Sequence, residues 1–282
     1  MDRGKHIEIV ELDGRRITLL LEGYSIAFVN ALRRLAQSDV PTMAVDFAYF
    51  YDNSTSVYDE IIAHRLGITV LKSDEAIYKY KSPEECRGEE PPNPDCYVEI
   101  FLDKEVSHDA PTGYYVKAED LLISDELVSP VHPETPILYL APGQRIHLVA
   151  YARLGRGREH TKWSPASVAI LQYTPIVEIT GRPGEDCLEC LRAYPEVAEA
   201  ARRGGGKVVY TRNINTSGLR YCSEGPCSGY IRLTYSQERL ILTIESTGAL
   251  EPERIVLEAA KSLYARANNL KKELEGLRGT VR

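Results

Sequence analysis

Phe28-Val29-Asn30-Ala31-Leu32-Arg33-Arg34-Leu35-Ala36 is the stretch on which the reading of the fold turns. Phe28, Val29, Leu32, Leu35 and Ala36 recur at three- and four-residue spacing, while Asn30, Arg33 and Arg34 fall toward another side, so Ser25 to Ala36 is expected to form an amphipathic helix. Before it, Ile7, Ile9 and Val10 and then Ile17 to Leu21 flank Asp13-Gly14, a strong tight-turn dipeptide, which predicts a hairpin over 6–21. After it, Thr42 to Tyr51 has the aromatic and β-branched content of a strand, and Asp52 to Ser56 is a polar break.

Farther out, Ser56 stands three residues before Asp59 and resembles a capping box, opening a helix through Ile61, Ile62, Ala63 and Leu66 that Gly67 would end. That helix carries His64-Arg65. Lys81 to Asp95, rich in Pro and charge, reads as an exposed loop with Cys86 and Cys96 near its ends. Strand-like runs at Tyr97–Leu102, Tyr114–Val116, Ile137–Leu140 and Arg145–Leu154 make 52–160 a β-rich insertion. A basic, Gly-rich loop from Gly155 to Pro165 holds Trp163, the one Trp of the chain, and Val168–Ile179 returns to strand character. Arg182 to Cys227 is a separate segment containing Cys187, Cys190, Cys222 and Cys227, with Gly204-Gly205-Gly206 as a turn before a Val208–Tyr210 strand. Tyr230–Thr234 and Leu240–Glu245 read as a second hairpin. The longest helix then runs from Pro252 to about Gly276. Val256, Leu263, Leu270 and Leu277 repeat at seven, with Ala260, Ala267 and Leu274 between them, which lays a narrow seam along one face. The seam can pack on the chain's own sheet or on a partner helix, and both hold if the sheet is shared.

The composition bounds the function. With 282 residues, 43% hydrophobic and 27% charged, the chain suits two domains or one with a large insertion, and no apolar run reaches the length of a membrane span. The N-terminus lacks a secretory pattern, so a cytoplasmic location is expected. A net charge of −7 argues against a stand-alone nucleic-acid binder, and any service to nucleic acid would run through partners. Gly204-Gly205-Gly206-Lys207 lacks the spacing and the Ser/Thr of a phosphate loop. The acidic residues are scattered beside Lys and Arg, unlike a cluster that holds two Mg²⁺ for nucleotidyl transfer.

The Phe28–Arg34 helix, Asp59-Glu60-Ile61-Ile62-Ala63-His64-Arg65-Leu66-Gly67 and His160-Thr161-Lys162-Trp163-Ser164-Pro165, in that order, resemble the archaeal RNA polymerase D subunit family. That family is related to the third-largest subunit of eukaryotic polymerases and more distantly to the bacterial alpha N-terminal domain. The resemblance covers essentially the whole chain. It implies an α+β fold: an alpha-subunit-like dimerisation domain from 1–48, 164–180 and 229–282, an inserted β-rich domain at 49–163 and a small cysteine-containing ferredoxin-like segment at 181–228. It further implies a non-catalytic assembly subunit that heterodimerises with the smaller L subunit, binds the small subunits N and P, and docks on the large subunits. Interface candidates are then Phe28, Asn30, Arg33, Arg34, His64, Arg65, Trp163, Val256, Leu263 and Leu270. Read from residue type alone, paired arginines also suit a solvated face, His64-Arg65 a helix C-terminus, and Trp163 a core.

Cys187-x-x-Cys190 with Cys222-x-x-x-x-Cys227 leaves three readings open: one iron–sulfur cluster, two disulfides in place of a lost cluster, or a zinc site. Relatives with a ferredoxin-like domain carry Cys-Pro where this chain has Tyr194-Pro195, and four cysteines cannot fill two clusters. Cys86 and Cys96, too few for zinc, suit a disulfide or two free thiols. The rival function is an iron–sulfur electron carrier, which an incomplete ligand set disfavours.

Overall fold

The computed structural model describes residues 4–280. The first hairpin pairs β1 (His6–Leu12) with β2 (Arg16–Glu22), closed where Asp13 Oδ1 accepts from the Arg15 and Arg16 N–H groups at 2.9 and 2.8 Å. Helix α1 (Ile26–Ser38) buries Val29, Leu32, Leu35 and Ala36, the stripe its spacing predicts. Strand β3 (Pro41–Asn53) follows, then α2 (Asp59–Ile68), the short α3 (Ala76–Lys79), β4 (Tyr97–Glu105), β5 (Tyr114–Lys117), β6 (Leu122–Ile123), β7 (Pro136–Leu140) and β8 (Arg145–Arg156). The second half has β9 (Ala166–Thr180), α4 (Glu185–Cys190), α5 (Pro195–Arg203), β10 (Gly205–Val209), α6 (Thr216–Glu224), β11 (Ile231–Ser246) and α7 (Pro252–Thr280).

Three local expectations fail for identifiable reasons. Helix α2 is N-capped at Tyr58 without a side-chain bond, so Asp59 is its first residue and not the third that a capping box from Ser56 requires, and Asp59 Oδ1 accepts from Asn53 Nδ2 at 2.7 Å instead. Gly67 does not end α2; it is buried inside it, and Thr69 N–H closes the last turn on Leu66 O. The second hairpin is one continuous strand, β11. Ser236-Gln237-Glu238-Arg239 supplies no Gly or Pro, so the ladder runs through it, with Gly23 N–H donating to Glu238 O at 3.1 Å and Arg239 pairing with Glu22 at 2.6 Å.

The chain divides into two compact units. One joins the residues up to Arg33 with Val168–Ile244, the other Arg34–Ser167 with the residues from Glu245 onward. In this division α7 falls with the β-rich residues, and the cysteine segment falls with the first strands. The first unit is built on a five-stranded sheet in the order β1-β2-β11-β9-β10. Ile17 to Leu21 of β2 are buried on both faces, and the one polar member, Thr18, meets the Thr243 hydroxyl at 3.0 Å. Segment 181–228, expected to be ferredoxin-like, is mostly helical, and its strand β10 extends the large sheet by pairing antiparallel with β9. Pro195 opens α5 and Gly204, at φ +93°, closes it in the left-handed region, while Val197, Ala198 and Ala201 give it one buried face.

The second unit holds a four-stranded sheet, β3-β8-β4-β6, and the two-stranded β5-β7. Its core gathers Val98, Ile100 and Leu102 of β4, Ile146, Leu148 and Ala150 of β8, and Ile62 and Leu66 of α2. Helix α7 buries Ile255 and Ala259 in its first turns. Among the described residues no helix is long and apolar enough to cross a membrane.

Candidate subunit interface

The heptad seam of α7 has two halves. Its first turns are held by charge: Arg254 donates to Asp74 O and reaches Glu75 at 3.4 Å, and the Tyr78 hydroxyl donates to Glu258 at 2.9 Å. Asp39, 5% exposed in its side chain, gathers Arg158, Arg266 and the Ser262 hydroxyl, while Arg156 donates to its carbonyl. Beyond this clasp the helix stands in solvent. Val256 and Leu263 are half-buried, but Leu270, Leu274 and Leu277 are 58, 54 and 62% exposed on one face. This apolar stripe is left open by its own chain.

In the first unit, edge strand β1 presents Ile7, Ile9 and Leu12, all exposed, on the face that carries Leu21, Leu19 and Ile17 of β2. Phe28 is exposed and stacks on Tyr24 with ring centroids 5.4 Å apart. Asn30 and Arg33 serve the fold, since Arg33 Nε donates to Asn30 Oδ1 at 2.9 Å and its NH1 to Ala169 O at 3.4 Å. Arg34 is exposed.

The remaining candidates separate in the same way. His64 is exposed on α2 and lines a small cavity of about 130 Å³ with Ile68 and Lys162, whereas Arg65 donates to Ile137 O at 2.6 Å and ties α2 to β7 rather than capping its own helix. Trp163 is core, at 3% exposure. Its indole N–H reaches Arg153 O at 3.3 Å, and the Arg153 and Lys162 cations lie 4.5 and 4.2 Å from its ring centroid. Asp46 holds both cations, at 2.7 and 3.0 Å.

All six cysteines are bonded in pairs: Cys86–Cys96, Cys187–Cys227 and Cys190–Cys222. Cys187, Cys222 and Cys227 are buried with Leu191, Val197, Leu219 and Ile231. A cluster or a zinc ion needs thiolates. With every sulfur of this set consumed in a disulfide, the four cysteines as bonded fit neither, and among the described residues no group of three or more His, Cys, Asp or Glu is arranged to hold a metal.

Sequence reasoning missed Asp39, whose partners lie 117 to 227 positions away, and the exposed aromatic residues of β3, which read only as strand content. The α7 seam beyond Leu263 and the edge strand β1 are each apolar surfaces that the chain leaves exposed. The chain belongs to the RNA polymerase Rpb3/Rpb11 dimerisation domain family, whose sequence profile matches residues 18–267. It is 53% identical over 275 residues to "DNA-directed RNA polymerase subunit Rpo3" of Aeropyrum pernix, covering 97% of this chain and 96% of that one. The corresponding Rpo3 of Methanothermobacter thermautotrophicus is 31% identical, covering 96% and 99%. "DNA-directed RNA polymerase II subunit rpb3" of Dictyostelium discoideum is 30% identical, covering 98% and 97%.

Proposed function

We propose that this chain is the archaeal D-type assembly subunit of DNA-directed RNA polymerase and pairs with an L-type subunit through the open half of α7 and the exposed apolar residues of β1 and α1. The half-covered seam carries this reading: Leu270, Leu274 and Leu277 are spaced to meet another helix, and this chain leaves more than half of each in water. Family membership supports the same pairing. Binding of N and P and docking on the large subunits follow from the resemblance of the three motifs.

The helical segment 181–228 is read as the counterpart of the family's ferredoxin-like domain, with cross-links in place of a cluster. Two disulfides between its ends, 40 and 32 residues apart in sequence, restrict the unfolded chain and stiffen a segment with a small core. Co-expression with an archaeal L-type subunit under anaerobic purification tests both statements. A one-to-one complex with no iron or zinc and no titratable thiol supports them. A monomer indifferent to L overturns the first, and about four irons per complex overturns the second.

A further inference from the structure

Beyond Ala259 no described residue of α7 is buried. The polar side of its middle turns is held by Asp39, which accepts from the Ser262 hydroxyl and from Arg266. Leu270, the first of the open leucines, stands one turn past Arg266.

Asp39 does not serve α7 alone. Arg158 donates to the Asp39 carboxylate at 3.0 Å and to Glu84 at 2.7 Å. Arg156 donates to the Asp39 carbonyl, while its Nε and NH2 each reach Glu84 at 2.8 Å. Three guanidiniums thus meet two carboxylates. The Arg156 hydrogen bond holds the Glu84 carboxyl below its ordinary value despite partial burial, so the charge is present. With Glu84 withdrawn, three guanidiniums face one carboxylate and repel one another. Arg266 is the one to yield, because its side chain is 52% exposed and that of Arg156 only 16%.

Glu84 in turn is placed by a covalent bond. It lies on the loop at 81–95, where from Glu84 onward Cys86 is the one buried residue, packed with Cys96, Tyr97 and Tyr151. The other fastenings are polar: Lys81–Asp95 at 2.6 Å and the Tyr97 hydroxyl, which donates to Glu89 O at 3.0 Å. Exposed ion pairs hold little by themselves, so the Cys86–Cys96 bond is what keeps a loop without a core in one place.

The geometry points to a redox-sensitive strap: the Cys86–Cys96 bond, acting through Glu84 and the Arg156–Arg158–Asp39 cluster, sets how firmly the middle of α7 is held and so the affinity of its open seam for a partner helix. This rests on the assembly reading above. A dithiol reductant breaks the bond by exchange, leaving two thiols on this chain and a disulfide on the reductant. Glu84, two residues from Cys86, then loses its fixed position, Arg266 leaves Asp39, and the turns that present Leu270 have to be ordered again on binding.

The test uses the full chain with Cys86→Ser and Cys96→Ser together, which spares the Cys187–Cys227 and Cys190–Cys222 bonds. Hydrogen exchange of the isolated chain reads α7, and titration calorimetry reads the affinity for an L-type subunit. The expected result is exchange about fivefold faster over 260–270 and affinity about fivefold weaker, the scale of one partly exposed ion pair. Glu84→Gln, which keeps the disulfide and guards against misfolding of the serine variant, gives the same two changes, and the three substitutions together give no more. Glu85→Gln, whose partner is Ser82 within the loop, gives neither. Unchanged exchange and affinity in both variants, a triple variant that loses the product of the two effects, or an equal response to Glu85→Gln overturns the proposal and leaves the assembly reading intact. A wild-type chain that ignores L while its exchange responds as expected removes the assembly reading alone.

Discussion

Replacing Leu270, Leu274 and Leu277 together by Gln separates a docking seam from a structural one. Gln matches Leu in helix propensity, so α7 itself is little affected. The three residues are 58, 54 and 62% exposed, so the isolated chain holds them with less than half of their area covered. Complete burial of a leucine is worth about 1.5–3 kcal/mol, which leaves about 0.8–1.8 kcal/mol per residue to be gained when a partner covers the rest. Summed, the loss on substitution is about 2.5–5 kcal/mol. Ordering costs at an interface favour the lower end, and at about 1.4 kcal/mol per decade the affinity for an L-type subunit falls roughly 100-fold. Titration calorimetry against purified L reads the affinity, and circular dichroism reads the melting of the chain alone. A change in affinity within about threefold would refute the reasoning. So would a drop of several degrees in the melting temperature of the isolated chain, which would place the seam inside its own core.

Three further outcomes follow from the second unit. Asp39→Asn removes the charge that gathers Arg158 and Arg266; because both arginines are half in water, the cost is discounted to about 2 kcal/mol, seen as a lower melting temperature and faster amide exchange over 255–266. Gly155→Ala places a Cβ 2.3 Å from the Trp163 indole, which two cations and Gly155 itself confine, and overpacking of this kind destabilises by about 1–3 kcal/mol in chemical denaturation. Burial works to raise the Asp125 carboxyl, but hydrogen bonds from Lys79, Tyr80 and the Leu127 N–H outweigh it and hold the group below its ordinary value. Its folded pKa is therefore depressed, so its contribution is fully present above the unfolded value of about 3.9 and is lost as pH falls through the folded one. Asp125→Asn should flatten the acid limb of stability against pH below about 4, and an unchanged limb would show that Asp125 does not carry it.

Periodicity and turn chemistry determined much of this protein from the sequence alone. Asp13-Gly14 set the first hairpin, three- and four-residue spacing set α1, and the repeat at seven set α7, because each signal is local and the backbone answers it within a turn or two. Three ordered motifs were enough to show the family. Where the local signal was weak, tertiary structure decided. Ser236 to Arg239 is polar enough to suggest a turn, yet pairing with neighbouring strands carries β11 straight through it, and α2 begins at Asp59 itself, too late for Ser56 to cap it. Residue type could not say whether Arg33, Arg65 or Trp163 faces a partner, since each bonds to a backbone oxygen set by the fold. Nor could it find Asp39, whose partners come together only when three distant segments pack. Alternation gives the period of a strand but not which side is covered, so the exposure of Phe47, Tyr49 and Phe101 became visible only once the sheet had its core on one side.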